Sequence, residues 1–518
     1  MTHPSGSPIH DTSPRLDAPP STTHRGLVAE VAQTMSGLGP LTPGQEVDGF
    51  HLVERLHQGG MAYLWRVTHS AYPLPMLMKV PRFKGGEDPA TIVGFEVEQM
   101  ILPMLKGPHV PRFIAKGDFT TRPYIVMEHI PGDSLWPRLD AAPLPIEEVA
   151  AVGARVATAL HDLHRQHVIH LDIKPSNILF RPTGEAVLVD YGLSRHDHLP
   201  DLLDEEFTLP MGTGPYMSPE QVQFVRSEPR SDLFALGVML YHLTTGERPF
   251  GSPSSVRGLR ERLYKEAIPP RVHRPDCPPW LQEVILRCLE VDADKRHPSA
   301  AHLAQDLTHP AQIKLTARAE RSGKSGRLMQ FKRWFRAIGA EPRDRGSAGE
   351  QLNRSPIILV AVDVNGATRE LLELLRETVR RVVSAEAGAR LACVSVMKTA
   401  RLGMDELTDE LGQSLHVKQL VGLKHWARPL SQALDLEESR LTFHVLEAPD
   451  AASTIVDFAR RTQVDHIIMG ARGNSALRRY LGSVSSQVVA RANCTVTVVR
   501  VPSELPVEVA APATQASG

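Results

Sequence analysis

His170, Asp172, Lys174 and Asn177 stand at the spacing His-x-Asp-x-Lys-x-x-Asn within HVIHLDIKPSNILF, His167 to Phe180. A little further on, VLVDYGLS brings Asp190 behind an apolar strand, followed by Tyr191 and Gly192. These residue types suit transfer of a γ-phosphoryl group. The reaction needs a carboxylate to accept the proton of the attacking hydroxyl, and oxygen ligands to hold Mg²⁺ on the phosphates. Asp172 fits the first task. Asn177 and Asp190 fit the second, because Mg²⁺ prefers hard oxygen donors. Lys174 reaches the transferring phosphate as a point charge. A polar loop between two apolar strands would leave both the spacing and the order unexplained.

The elements that must position these groups lie on both sides. Val47 to Ser70, VDGFHLVERLHQGGMAYLWRVTHS, alternates apolar and polar residues around Gly59 and Gly60, as two strands joined by a tight turn would. Residues without Cβ there let backbone N–H groups approach phosphates. LPMLMKV, a further strand, carries Lys79. FEVEQMILPMLKG then puts Phe95, Leu102 and Leu105 on one apolar helical face, with Glu98 one turn before Leu102. Pro103 is expected to kink or shorten that helix. YIVME, Tyr124 to Glu128, leads into HIPGDSL, a flexible connection between lobes. EEVAAVGARVATALHDLHRQH reads as a long amphipathic helix running into the catalytic stretch. Beyond Asp190 come the acidic run DLLDEEF, the string MGTGPYMSPE, and the helix SDLFALGVMLYHLTTGERPF.

From about Glu46 to His309 these motifs, in this order, resemble the bacterial serine/threonine protein kinases of the eukaryotic type. The resemblance implies a bilobal α+β fold and an ATP- and Mg²⁺-dependent activity on protein substrates. It implies a Lys79–Glu98 ion pair that orients the lysine on the α- and β-phosphates, with Glu96 as the competing partner. Adenine would meet backbone groups of Glu128 to Ile130, with Met127 behind it. Thr213 would bond Asp172 and Lys174, Glu220 would pair with Arg296, and Asp232 would bind backbone N–H groups of the catalytic loop. Lys174, two residues after the base, is the serine/threonine form. Two departures stand out. In the glycine loop His57 and Ala62 replace the first and third glycines, leaving Gly59. Leu171 stands where the family often has an arginine that meets a phosphorylated activation loop. Activity is therefore expected to be independent of loop phosphorylation, and DLLDEEF is expected to find no such arginine. The rival reading is a pseudokinase scaffold that binds nucleotide and transfers little phosphate.

Residues 310–354 form a basic bridge that includes Lys314, Arg318 and Arg321, and RLMQFKRWFRAIG within it has Leu328, Phe331, Phe335 and Ile338 at helical spacing. Such a helix either lies on an anionic membrane surface or packs on one of its own domains, and packing is the preferred reading. SPIILVAVDVNG then opens an alternation of apolar strands and helices that indicates a parallel sheet covered on both faces. In such sheets ligands bind beyond the carboxyl ends of the strands, and Gly-rich turns into helix N-termini hold phosphate. This stretch, about Ser355 to Pro502, resembles the universal stress protein family. The resemblance implies an α/β domain in which Asp363 contacts a nucleoside and Gly470, Gly473, Gly482 and Ser483 take phosphates. The Gly473–Gly482 spacing is one residue short of the family's usual one. CTVTVVRV would be the edge of a homodimer. The alternative is a domain that only dimerises.

The chain has 518 residues, enough for several cores, and a net charge of −1 that gives nucleic-acid binding no support. Cys277, Cys288, Cys393 and Cys494 form no Cys-x-x-Cys pair, which fits a reducing cytoplasm. No apolar run is long enough to span a membrane, and no secretory signal is present. The expected organisation is a disordered tail over 1–45, with a short helix at 27–35, a kinase domain over 46–309, the bridge over 310–354, the stress-protein domain over 355–502 and a disordered tail over 503–518.

Overall fold

Alternating apolar residues from Glu46 onward build an antiparallel sheet whose two faces have different tasks. The structure, a computed structural model, describes residues 41–58, 62–82, 89–119, 121–207, 210–253, 255–323, 356–386, 388–399, 414–436, 440–471 and 483–501. Residues 1–40 of the first tail, the second tail, the 27–35 helix, Gly59, Gly60, Thr208, the bridge helix, Gly473 and Gly482 lie outside the described residues. Residues 41–45, expected to belong to the disordered tail, are instead ordered against the strand Phe50–Gln58, with Gly44 N donating to Leu52 O and Leu52 N to Gln45 O at 2.8 Å each.

The first sheet contains β1 (Glu46–Val47), β2 (Phe50–Gln58), β3 (Ala62–His69), β4 (Tyr72–Pro81), β5 (Phe113–Gly117) and β6 (Tyr124–Glu128), in the order β1-β2-β3-β4-β6-β5. Met76, Met78 and Val80 of β4 join Phe50, Leu52, Trp65 and Val67 in one apolar cluster. Side chains alternate along a strand, so Lys79 points the other way. There it faces α1 (Pro89–Ile101). Pro103 acts as expected: α1 ends at Ile101 and a 3₁₀ turn follows over Leu102–Met104.

The second lobe is helical. α2 (Ile146–His164) leads to β7 (Val168–Ile169), and β8 (Ile178–Phe180) and β9 (Ala186–Leu188) form a hairpin. β10 (Arg195–His196) pairs with β7. A short helix α3 (Leu202–Glu206) follows, then α4 (Arg230–Thr245), α5 (Pro279–Cys288) and α6 (Ala300–Thr308). α4 stops at Gly246, whose φ of 77° is the left-handed turn that releases a helix end. The first part of the basic bridge lies on this lobe. Arg318 bonds Glu283 and Glu290, and Arg321 bonds Glu266. Those cations are neutralised by their own domain.

The second domain has strands β11 (Ile357–Ala361), β12 (Arg390–Lys398), β13 (Leu441–Ala448), β14 (His466–Gly470) and β15 (Thr495–Val499). All are parallel, in the order β13-β12-β11-β14-β15. α7 (Arg369–Ala385) and α8 (Leu415–Leu434) cover one face. α9 (Ala451–Arg461) and α10 (Ser483–Arg491) cover the other. The strand order reverses between β11 and β14, which opens a crevice at their carboxyl ends.

At position 171 the chain offers DLLDEEF only a leucine, as expected, and the run finds arginine elsewhere. The acidic run DLLDEEF forms α3, and it does meet arginine. Arg390, at the start of β12, holds Glu205 with two bonds of 2.7 Å each. Leu202 and Leu203 share an apolar cluster with Val417, Leu420, Val421 and Val445 of the second domain. The partner lies 185 residues away along the chain, where no local pattern could announce it.

Candidate functional site

Asp232, in the first turn of α4, accepts the backbone N–H groups of His170 and Leu171, each at 2.9 Å. These two bonds hold Leu171 at φ 63°, a backbone state that a branched side chain adopts only when its surroundings impose it. Gln221 adds a bond to the Leu171 carbonyl at 2.7 Å, a support that no motif announced. His170 Nδ1 accepts from the Asp172 N–H at 3.3 Å, so its other nitrogen, Nε2, donates to the Val189 carbonyl at 3.1 Å. The stretch from His170 to Asn177 is thus tied to the backbone just before Asp190.

Asp172 is buried and gripped on both oxygens. Its Oδ1 accepts the Thr213 N–H at 3.0 Å and the Thr213 hydroxyl at 2.7 Å. Its Oδ2 accepts from Lys174 at 2.5 Å and from Asn177 Nδ2 at 3.3 Å. Thr213 and Lys174 therefore meet on the carboxylate, one on each oxygen. Asn177 Nδ2 also donates to the Asp172 carbonyl at 3.0 Å, which turns its amide oxygen away from Asp172.

Lys79 bridges two carboxylates, Glu98 at 2.5 Å and Asp190 at 2.9 Å. Burial alone would lower the Lys79 pKa, but Asp190 and Glu98 outweigh it and raise it. The Lys79 charge holds the Asp190 carboxyl down at about 2, against the opposing effect of burial. Asp190 sits at φ 70°, and its side chain is 42% exposed. Glu96, the competing acid, faces away and pairs with Lys424 of the second domain. Residues two apart on a helix lie on opposite sides, so Glu98 and Glu96 cannot share one partner. Gly94 of α1 touches the turn that carries Asp190: a Cβ there would come within 2.9 Å of the Gly192 carbonyl oxygen. Glu128 N donates to Arg112 O at 2.8 Å and His129 N to Pro75 O at 2.9 Å. Arg296 grips Glu220 with two bonds of 2.6 and 2.8 Å in the core.

In the second domain Asp363 follows β11 and Gly470 ends β14, so the two flank the crevice between those strands. A cavity of about 530 Å³ opens there, lined by Asp363, Asn365, Lys398, Gly470, Ser483 and Ser485 among others. Ser395 donates to the Val362 carbonyl at 2.7 Å, and Gln419 bonds both Ser395 and Asn365, at 2.8 and 2.7 Å. These polar supports of the strand end were not legible in the sequence, because they come from two separate elements.

The protein kinase domain family model matches residues 50–308, and the universal stress protein family model matches residues 356–500. The probable serine/threonine-protein kinase CPE1738 of Clostridium perfringens (strain 13 / Type A) is 28% identical over 261 residues, covering 50% of this chain and 38% of that protein. Serine/threonine-protein kinase PknB of Mycolicibacterium smegmatis is 28% identical over 323 residues, covering 60% of this chain and 49% of that protein. The chain spans less than half the length of these curated relatives. Among solved structures, the PknI kinase domain of M. tuberculosis is 23% identical, covers 53% of this chain and 100% of its own, and has a TM-score of 0.41. The pseudokinase alternative gains no support from these relatives. With half its length matched by that family model, the chain belongs to the protein kinase domain family, and a universal stress protein domain follows in the same chain.

Proposed function

We propose that the chain is an ATP- and Mg²⁺-dependent serine/threonine protein kinase. The observation that carries this reading is the bridged pair of assemblies: Lys79 joined to both Glu98 and Asp190, and Asp172 held by Thr213 and Lys174. Family membership brings ATP and a divalent metal. Mg²⁺ suits the residues, since the anionic Asp190 and the amide oxygen of Asn177 are hard donors. Among the described residues no group of three or more His, Cys, Asp or Glu side chains could hold a metal alone. The remaining ligands would be phosphate oxygens and water, which is how Mg²⁺ is commonly held. Bound there, the metal would neutralise charge on the phosphates.

The chain's own residues would do the rest. Lys79, kept cationic by its two carboxylates, orients the α- and β-phosphates. Asp172 takes the proton of the substrate hydroxyl, and Lys174 sits beside the transferring phosphoryl group. Thr213 holds the Asp172 carboxylate in the orientation that receives that proton. Gly59 and Gly60 would cover the phosphates. With the Glu128 and His129 N–H groups already engaged, Ile130 supplies the N–H for adenine, and Glu128 its carbonyl. The four cysteines are free thiols, which supports the expected reducing cytoplasm.

The test is phosphate transfer from labelled ATP to a generic basic protein by the full chain, beside Asp172→Asn. The wild type should transfer phosphate. The variant should lose transfer and keep ATP binding, and transfer at the wild-type rate would refute the assignment. We further propose that the second domain binds an adenine nucleotide with Asp363 on the nucleoside and Gly470, Gly473, Gly482 and Ser483 around the phosphates. The cavity at the crevice supports this. The edge strand β15 is the proposed homodimer contact.

A further inference from the structure

The segment between Asp190 and Glu220 must be held in one conformation for Thr213 to meet Asp172. In this chain its catalytic loop offers no cation for that purpose, because Leu171 is apolar and buried. One end of α3 is fastened within the kinase lobe: Arg226 bonds both oxygens of Asp201, at 3.1 and 2.8 Å. The other end is fastened by the second domain. Arg390 makes its two bonds to Glu205 and adds a third, at 2.9 Å, to Thr442. His444, fully buried, stands between Glu205 and Glu206 at 3.2 and 3.1 Å. An arginine with two parallel bonds to an acidic oxygen pair is the arrangement by which a phosphorylated loop is held.

The same domain grips α1 as well. Lys424 pairs with Glu96, and its ammonium lies 4.4 Å from the Phe119 ring centre and 5.2 Å from that of Phe443. Glu96 is two residues from Glu98, on the opposite side of the helix. So the second domain holds the outer face of the helix whose inner face holds Lys79. Both gripped elements are in the assembled arrangement, with the Lys79–Glu98 pair closed and Thr213 on Asp172.

We infer that the universal stress protein domain is a built-in substitute for activation-segment phosphorylation, with Arg390 as a positioning residue that orders α3 and Lys424 as one that holds α1 inward. Neither touches substrate or ATP. Each acts through an acid of the kinase lobe that would otherwise lose its buried counter-charge. This linkage is independent of whether the second domain's cavity takes a nucleotide. It rests on contacts made by the start of β12, by the edge strand β13 and by α8, whereas the cavity opens at the carboxyl ends of β11 and β14.

The test uses the full chain and the same labelled-ATP assay. Arg390→Glu and Arg390→Gln should each lower kcat by about five- to 150-fold, the usual range of coupling between sites, with KM for ATP little changed. The exchanged pair Arg390→Glu with Glu205→Arg should recover most of the lost rate. Lys424→Glu, rescued by Glu96→Lys, is a second set with its own readout should the first fail to fold, and circular dichroism checks folding in every case. Singles that work at the wild-type rate or faster would overturn the inference, the faster case meaning that the domain is a brake. Folded exchanges that recover nothing would overturn it too.

Discussion

If Asp172 takes the proton as proposed, the chemistry of this chain depends on a threonine far away in sequence. Thr213 supplies two of the bonds to Oδ1, one from its backbone and one from its hydroxyl. Thr213→Val keeps the backbone bond, the branching and the volume, and removes only the hydroxyl. Hydrogen bonds to charged groups contribute about 1.5–3 kcal/mol, so kcat should fall roughly ten- to 150-fold. KM for ATP should stay within a small factor, because no described contact links Thr213 to Lys79, the residue proposed to orient the phosphates. Steady-state kinetics decide this, and a change confined to KM would refute the orienting role. Arg296 illustrates a different dependence. It is buried against Glu220, whose pKa it holds below the usual range although burial pushes the other way. Its loss would leave an unpaired buried carboxylate, a change that costs about 3–5 kcal/mol of stability.

Helix α1 is held from three sides: by Lys79 through Glu98, by the second domain through Glu96, and by backbone contact with the turn after Asp190. The third contact explains Gly94. Gly→Ala in a helix ordinarily stabilises by about 1 kcal/mol. Here the new methyl would press on the Gly192 carbonyl at 2.9 Å, so the helix or the turn must move. Gly94→Ala should destabilise the protein by about 1–3 kcal/mol and lower kcat, as overpacking does. Chemical denaturation gives the sign directly, and a more stable variant would show that the turn yields freely. Helix α3 has a contact that depends on pH. Burial, then the nearby Glu96 and Glu205, push the Glu206 carboxyl well above its ordinary pKa, while burial pushes His444 well below its own. Both shifts favour the neutral forms, in which the Glu206 hydroxyl would donate to His444 Nδ1 across 3.1 Å. A raised carboxyl pKa contributes stability below its unfolded value of about 4.3, and this is lost as pH rises toward the native value. Glu206→Gln removes that loss. The variant should melt above the wild type near pH ~7.5, with the gap closing toward pH ~4. His444 has the opposite sign, with its contribution present above about 6.5 and lost as pH falls, but it is common to both proteins. A gap that widens on acidification would refute the neutral pair.

The molecule joins two domains through charged contacts that are largely buried, so their relative arrangement is well specified and open to coupling. Any ligand that favours one arrangement shifts the kinase by its difference in affinity for the two. If the second domain's cavity takes adenine nucleotide, the full chain should bind a non-hydrolysable ATP analogue at two sites. Asp363→Ala should reduce calorimetric binding to one site and leave the kinase-lobe site intact. Two unchanged sites in that variant would remove Asp363 from the nucleotide contacts, and one site in the wild type would make the domain a clamp without a ligand.

Local pattern exposed much of this. The strand around Lys79, the helix of Glu98, the spacing from His170 to Asn177 and the alternation from Ile357 onward are periodic or closely spaced, so short-range sterics and hydrophobic alternation reveal them. The effect of Pro103 on α1 was legible for the same reason, since the missing N–H acts on its own turn. Which acid Lys79 would take depended on family spacing, and Glu96 became excluded only when Lys424 was seen to claim it. DLLDEEF invites comparison with position 171, where Leu171 offers it no charge. Its Glu205 is held instead by Arg390, with His444 beside it, residues on two strands brought side by side by β-sheet pairing, and charge complementarity across such distances leaves no periodic trace. Gln221, Gly94 and Gln419 escaped notice for the same reason. A lone glutamine or glycine has no motif, and its role exists only once packing has brought a carbonyl or a backbone turn within reach.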